Sequence, residues 1–150
     1  MTDKPIHVTG CCLCGEVRYE AEVLLKSGFI CHCRVCQKST GQPSEITVPI
    51  KAGTLIFVKG EPKFYVSSAD CQRGFCADCG SRIVAQALDP ANDWLTNLTV
   101  GSLDNSAAVS VECHIFVDTQ LPWYQLNESL PRFKEGEVGA LFEQWNIARS

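Results

Sequence analysis

The feature of this sequence that most constrains its fold is the spacing of its cysteines. Ten cysteines occur in 150 residues, and most lie in three short clusters, at 11–14, 31–36 and 76–79. A chain of this length buries enough apolar surface to fold without disulfides. Residues 1–9 include Asp3 and Lys4 and have no apolar run, so we expect no secretory signal, and the cytosol keeps thiols reduced. We therefore expect a cytoplasmic protein whose thiols are metal ligands, reactive groups or small buried side chains.

Composition limits the class of protein and its partners. Apolar residues make up 45% of the chain and charged residues 20%, which is ordinary globular usage. The length predicts one domain over residues 1–150. With 17 acidic and 13 basic side chains the net charge is -4, so nucleic acid is not an expected partner. No apolar run reaches the ~18–20 residues of a membrane span, so no membrane partner is expected either. The oligomeric state stays open.

Alternation of apolar and polar residues predicts a mainly β fold with few, short helices. Val17, Tyr19, Ala21 and Val23 alternate with charged residues, which is typical of a half-buried strand. Further strands are predicted at 46–50, 54–58, 64–67, 83–88, 95–100 and 109–117. A short helix is predicted at 34–40, closed by Gly41, and another near residues 141–145. The cysteine clusters then lie in loops at strand ends, where reactive groups are usually mounted.

The sharpest motif is Cys76-Ala77-Asp78-Cys79-Gly80. Two thiolates at this spacing converge on one tetrahedral Zn²⁺, and the glycine permits a tight turn behind the second sulfur. Cys12 and Cys14, also followed by glycine, supply a second ligand pair. These four cysteines predict a closed, structural zinc site. The alternatives are a thioredoxin-like redox pair, which requires a βαβ context that the sequence lacks, and buried free thiols.

A second pattern places Cys31, Cys33 and Cys36 within six residues. Three protein ligands and an open fourth position are typical of a catalytic zinc. Three thiolates make the metal a weak Lewis acid, better suited to holding a substrate thiol as thiolate than to hydrolysis. The alternative is a second closed site completed by His32 or by a distant residue. His32, between two ligands, is also a candidate proton shuttle.

Other residues near the clusters have less specific interpretations. Four cations flank the cysteines and either offset thiolate charge, bind substrate carboxylates or are ordinary surface charges; they are Arg34, Lys38, Arg73 and Arg82. Cys113 and the three tryptophans, Trp94, Trp123 and Trp145, are predicted to fill the core.

Three motifs in order resemble one known family. They are Gly-x-Cys-x-Cys-Gly-x-Val-x-Tyr at 10–19, Cys-His-Cys-x-x-Cys at 31–36, and Arg-Gly-Phe-Cys-x-x-Cys-Gly-Ser at 73–81. The segments at 114–117, 121–123 and 130–133 resemble the same family's C-terminal part. The chain is thus similar to the glutathione-dependent formaldehyde-activating enzymes, a family that also contains centromere protein V.

The resemblance implies an Mss4-like β-rich fold with two zinc sites. Cys12, Cys14, Cys76 and Cys79 would hold the structural zinc, and Cys31, Cys33 and Cys36 the catalytic zinc, which we expect to be lost more readily. His114 would lie close behind the second site, whereas Cys11 and Cys71, where a small residue such as serine is expected, would be non-ligands. The implied reaction joins glutathione to formaldehyde, a carbon–sulfur lyase reaction in its reverse sense.

Two other functional classes remain open from the sequence. The chain is either such an enzyme acting on a thiol adduct of a small aldehyde, a non-catalytic zinc-stabilised binding module, or a thiol-based redox or metal sensor. An open three-thiolate site beside a pocket favours the enzyme. A closed second site favours the module, and a reversible disulfide within residues 31–36 favours the sensor.

Overall fold

Strands are the main regular structure in the computed structural model, which describes residues 4–24, 26–125 and 129–149. Within these residues the strands are β1 (Pro5–Cys11), β2 (Arg18–Leu24), β3 (Gly28–Cys31), β4 (Glu45–Pro49), β5 (Ile56–Lys59), β6 (Lys63–Val66), β7 (Cys71–Phe75), β8 (Arg82–Ala87), β9 (Asn97–Thr99), β10 (Val111–Ile115) and β11 (Arg132–Phe133). The helices are α1 (Arg34–Thr40) and α2 (Glu135–Arg149), together with short 3₁₀ turns. The prediction of a mainly β fold with few helices is confirmed.

The strands form two sheets. The smaller sheet has the order β1-β2-β5, and the larger has the order β11-β10-β3-β4-β9-β8-β7-β6. Neighbouring strands are antiparallel except that β10 runs parallel to both β3 and β11. In the centre of the larger sheet, Phe29 lies opposite Thr47 and Cys31 opposite Glu45. Cys31 also pairs with Ile115 on the other side, so side chains of three strands meet on one face.

Two apolar cores lie on the two faces of the larger sheet. In the first core, Tyr19 and Val23 of the smaller sheet pack with Val48, Val84 and Leu98 of the larger one. The second core packs α2 against β3 and β10; its buried members are Phe29, Cys31, Cys36, Cys113, Ile115, Val138 and Trp145. Each metal-ligating cluster predicted from the sequence lies at the border of one of these cores.

Local sequence signals placed helix α1 correctly. The helix begins after Cys33, whose sulfur accepts the backbone N–H of Cys36, and it ends at Gly41, where φ is 69°. That left-handed conformation is readily adopted by glycine and ends the helix. No helix among the described residues is long and apolar enough to cross a membrane.

Four of the described strands were not predicted from the sequence: β1, β3, β7 and β11. No strand was predicted over residues 5–11, but they form β1, which pairs along its whole length with β2. Residues 71–75 form β7, whose Gly74 lies against Val84 of β8 where a larger side chain would not fit. The predicted strand at 95–100 is shorter because a 3₁₀ turn occupies Pro90–Leu95.

Candidate metal centres and the adjoining cavity

The first cluster joins the turn after β1 to the turn between β7 and β8. The sulfur atoms of Cys12, Cys14, Cys76 and Cys79 all lie within 4.8 Å of one another. Cys12 Sγ is 3.5 Å from Cys14 Sγ, which is 3.7 Å from Cys76 Sγ. Tetrahedral ligands at the Zn–S length of about 2.3 Å would be roughly 3.8 Å apart. The four sulfurs therefore fit a tetrahedral metal ion.

Glycine and hydrogen bonds shape both turns of this cluster. Each turn ends on a left-handed glycine, Gly15 with φ 80° and Gly80 with φ 76°. The backbone N–H of Val17 donates to Cys12 Sγ at 3.3 Å. A hydrogen bond with the Ser81 hydroxyl lowers the pKa of Cys79 to about 5. The Ser81 hydroxyl also accepts the Leu13 backbone N–H at 2.9 Å, so the two turns are joined to each other.

The second cluster lies where β3 leads into α1. The sulfurs of Cys31, Cys33 and Cys36 also lie within 4.8 Å of one another. The hydrogen bond from the Cys31 thiol lowers the pKa of Cys33, and the same contact raises the pKa of Cys31. Contact with Cys31 likewise raises the pKa of Cys36. Three thiolates this close repel one another, so all three ionise together only around a cation. The donor set thus fits a thiophilic divalent metal.

A cavity of about 580 Å³ opens directly onto this second cluster. Its walls are formed by the face of the larger sheet that carries Cys31 and by both helices. The lining residues include the three cysteines, Phe29, Glu45, Arg73, Ile115, Phe116, Asp118, Glu135 and Phe142. The volume is in the range of about 300–1,000 Å³ that is usual for small-molecule sites. The four cysteines of the first cluster are not among its lining residues. The two clusters therefore differ in their access to a small molecule.

The cations predicted near the clusters separate into two groups. Arg73 and Arg82 are mostly buried and both bond to the carboxylate of Glu45. Arg34 and Lys38 are exposed on α1 and line a second, shallower groove of about 310 Å³ with Trp123. Trp123 is 70% exposed, so its prediction as a core residue is wrong. Trp145 and Cys113 are buried as predicted, and Trp94 is half-buried against Phe142.

The two histidines form a buried pair. His32 Nε2 lies 2.9 Å from His114 Nδ1, and their rings stack 5.2 Å apart. Burial lowers the pKa of His32 to about 4, so its imidazole is neutral. Neither residue is among those that line the cavity. The backbone carbonyl of His32 accepts hydrogen bonds from Gln37 and Thr119, which fixes the chain between Cys31 and Cys33. Proton transfer by His32 and a role of His114 behind the metal site remain predictions.

Sequence reasoning did not place Glu45 or Cys71 at the cavity. Glu45 begins an apolar strand and is buried, and Cys71 lines the cavity although it does not belong to the three-cysteine cluster. The available signal was the position of Glu45 directly before Ile46-Thr47-Val48, which the sequence predicts to be a strand. Because a carboxylate is rarely buried without a partner, this position indicates a cation nearby. Cys11, predicted to be a non-ligand, lies outside the four-cysteine cluster, with its sulfur 3.8 Å from Asp104 Oδ1.

The strands and the two cysteine clusters are those of a mainly β protein of the Mss4-like kind, with two groups of cysteines that could hold a metal ion. Residues 7–119 match the family described as glutathione-dependent formaldehyde-activating enzyme. The chain belongs to this family. A solved structure of a Rhodobacter sphaeroides protein, a structural genomics target, is similar with a TM-score of 0.55 and 19% identity. The match covers 84% of this chain and 99% of that one, and it concerns the fold alone. No curated protein sequence matches.

Proposed function

We propose that this protein is a zinc enzyme that joins a small thiol to a small aldehyde, with glutathione and formaldehyde as the first pair to test. In chemical terms it is a carbon–sulfur lyase acting in the synthetic direction. The observation that carries the proposal is the position of Cys31, Cys33 and Cys36 in the wall of a cavity large enough for a tripeptide thiol. The family membership supports the same reaction class.

The two clusters have different proposed roles. Cys12, Cys14, Cys76 and Cys79 hold a structural zinc, because four thiolates complete its coordination and no position is left for substrate. Cys31, Cys33 and Cys36 hold a second zinc with one position toward the cavity. When bound there, the metal supplies the positive charge that keeps a substrate thiol deprotonated at neutral pH.

The reaction itself needs little further chemistry. The thiol sulfur bonds to the aldehyde carbon, the carbon–oxygen double bond becomes a single bond, and the thiol proton ends on the oxygen. No oxidant or reductant is consumed. The apolar side chains of Phe29, Ile115 and Phe142 line the cavity and limit water around the reacting sulfur, which strengthens the electrostatic interactions there.

The experiment compares adduct formation with and without protein. Zinc-loaded protein, glutathione and formaldehyde are mixed, and the rate of exchange between free and adduct species is followed by NMR. We expect acceleration over the uncatalysed rate, and we expect Cys33→Ala to abolish it while circular dichroism stays native. Cysteine, cysteamine and coenzyme A serve as alternative thiols. If fully loaded protein accelerates no combination, the chain is a binding module; a reversible disulfide among the three cysteines would instead indicate a sensor.

A further inference from the structure

A largely buried charge network forms part of the cavity wall. The carboxylate of Glu45 is only 3% exposed and bonds two guanidinium groups, Arg73 Nη1 at 2.9 Å and Arg82 Nη2 at 2.8 Å. The two arginine side chains are 12% and 14% exposed. One carboxylate therefore faces two cations, and the network as a whole carries one excess positive charge. Buried excess charge is costly unless a further group balances it.

Arg73 brings positive charge next to the three-cysteine cluster. Arg73 Nη2 lies 3.6 Å from Cys36 Sγ, its Nη1 bonds Glu45, and its Nε donates to the Ser67 hydroxyl at 3.2 Å. All three nitrogens of this guanidinium are thus engaged, and its position against the sulfur is fixed. Arg82, by contrast, bonds Glu45 without a hydrogen bond to a cysteine among the described residues.

The charges of the network and of a loaded cluster are complementary. Three thiolates around a divalent cation carry one net negative charge, and two guanidiniums with one carboxylate carry one net positive charge. Together they are neutral, which is the least costly state for buried ions. Because Arg73 and Arg82 both bond Glu45, they are poorly placed to receive the carboxylates of a substrate, which was one of the alternatives for these two cations.

We propose that Arg73 is a positioning residue of the three-cysteine site: it donates a hydrogen bond to the Cys36 sulfur and holds it in place as a ligand for a divalent cation, while Glu45 keeps the guanidinium in place. This inference rests on the metal binding in the proposed function but not on the reaction with formaldehyde. Partners that hydrogen-bond a metal ligand typically contribute 10–100-fold to metal affinity. We expect a loss of about that size when the Arg73 guanidinium is removed.

The test uses Co²⁺ as the probe, on the full chain in its reduced, metal-free form. Co²⁺ bound to thiolates absorbs strongly in the near ultraviolet, and competition with a chromophoric chelator gives the affinity of each site. The Cys33→Ala variant identifies the signal of the three-cysteine cluster by its loss. Arg73→Gln and Arg73→Lys are compared with Arg82→Gln, which removes the same charge from the same Glu45 partner but no contact to sulfur. The four-cysteine cluster in each variant reports whether the fold is intact.

The outcomes separate this inference from the proposed function. We expect Arg73→Gln to weaken Co²⁺ binding at the three-cysteine cluster about 10–100-fold and to shift its charge-transfer band, with a smaller loss for Arg82→Gln. If wild-type protein binds Co²⁺ only at the four-cysteine cluster, both proposals fail. If wild type binds at both clusters but Arg73→Gln changes nothing, or Arg82→Gln weakens binding equally, only the role of Arg73 is overturned. Arg73→Lys keeps the charge but lacks the planar fork that bonds Glu45, Ser67 and Cys36 together, so it too is expected to weaken binding. Should Arg73→Gln not fold, unchanged affinity in Arg73→Lys overturns the role of Arg73 as well.

Discussion

Glu45→Gln tests whether the buried charge network supports the fold. The substitution keeps the size of the side chain but removes the charge that faces Arg73 and Arg82 across 2.9 and 2.8 Å. Removing one partner from a buried ion pair costs about 3–5 kcal/mol, since the remaining charge is uncompensated. Domains have free energies of unfolding of about 5–15 kcal/mol. The variant should therefore lose a large part of its stability.

The assay is urea unfolding followed by tryptophan fluorescence, with zinc held in excess. With an m-value of about 2 kcal/mol/M, the loss lowers the unfolding midpoint by about 1.5–2.5 M. Glu22→Gln is the matched control, because Glu22 pairs with Lys51 at 3.6 Å where both side chains are 43% exposed. Exposed pairs contribute about 0–1 kcal/mol. If Glu45→Gln lowers stability no more than Glu22→Gln does, the network does not have the energetic importance assigned to it.

Three further predictions concern the two clusters and the sheet. A chelator should remove zinc from the three-cysteine cluster before the four-cysteine cluster, because fewer protein ligands hold it; metal analysis during dialysis would contradict this if the order were reversed. Cys76→Ser should give insoluble or loosely packed protein, since structural zinc binding is also folding free energy; a native circular dichroism melt would refute the structural role. Gly74→Ala should cost about 1–3 kcal/mol, because its Cβ would lie 2.5 Å from Val84 Cγ1 and 2.9 Å from Phe64 Cε1; an unchanged urea midpoint would contradict this packing.

Features with local causes were predictable from the sequence. Helix α1 was predicted with its correct ends because Gly41, which adopts φ 69°, directly follows an uninterrupted helical segment. The four-cysteine cluster was predictable because each of its two cysteine pairs is followed by its own turn glycine, although the pairs are 62 residues or more apart. The spacing of the cysteines and the position of the following glycine belong to short segments of the chain. They can therefore be recognised without knowledge of the fold.

Features that depend on distant contacts were not predictable. Glu45, Arg73 and Arg82 belong to three different strands, and their pairing follows from the sheet order β4-β9-β8-β7, which no periodicity encodes. Strand β1 contains Pro5 and Gly10, which weaken the sequence signal for a strand. It forms because it pairs with β2 and packs into the first core. Trp123 is aromatic yet 70% exposed, because apolar character alone does not determine which side chains the folded chain covers.

A crystal structure of zinc-loaded, reduced protein, with anomalous scattering at the zinc edge, tests the two proposed zinc sites most directly. We predict two zinc ions, one held by Cys12, Cys14, Cys76 and Cys79, and one held by three cysteines with its fourth position toward the cavity. Soaking with glutathione should place a sulfur at that position. A second site closed by a fourth protein ligand would contradict the proposal of an open zinc site at the cavity. So would a cluster of Cys31, Cys33 and Cys36 that binds no zinc when the first site is full.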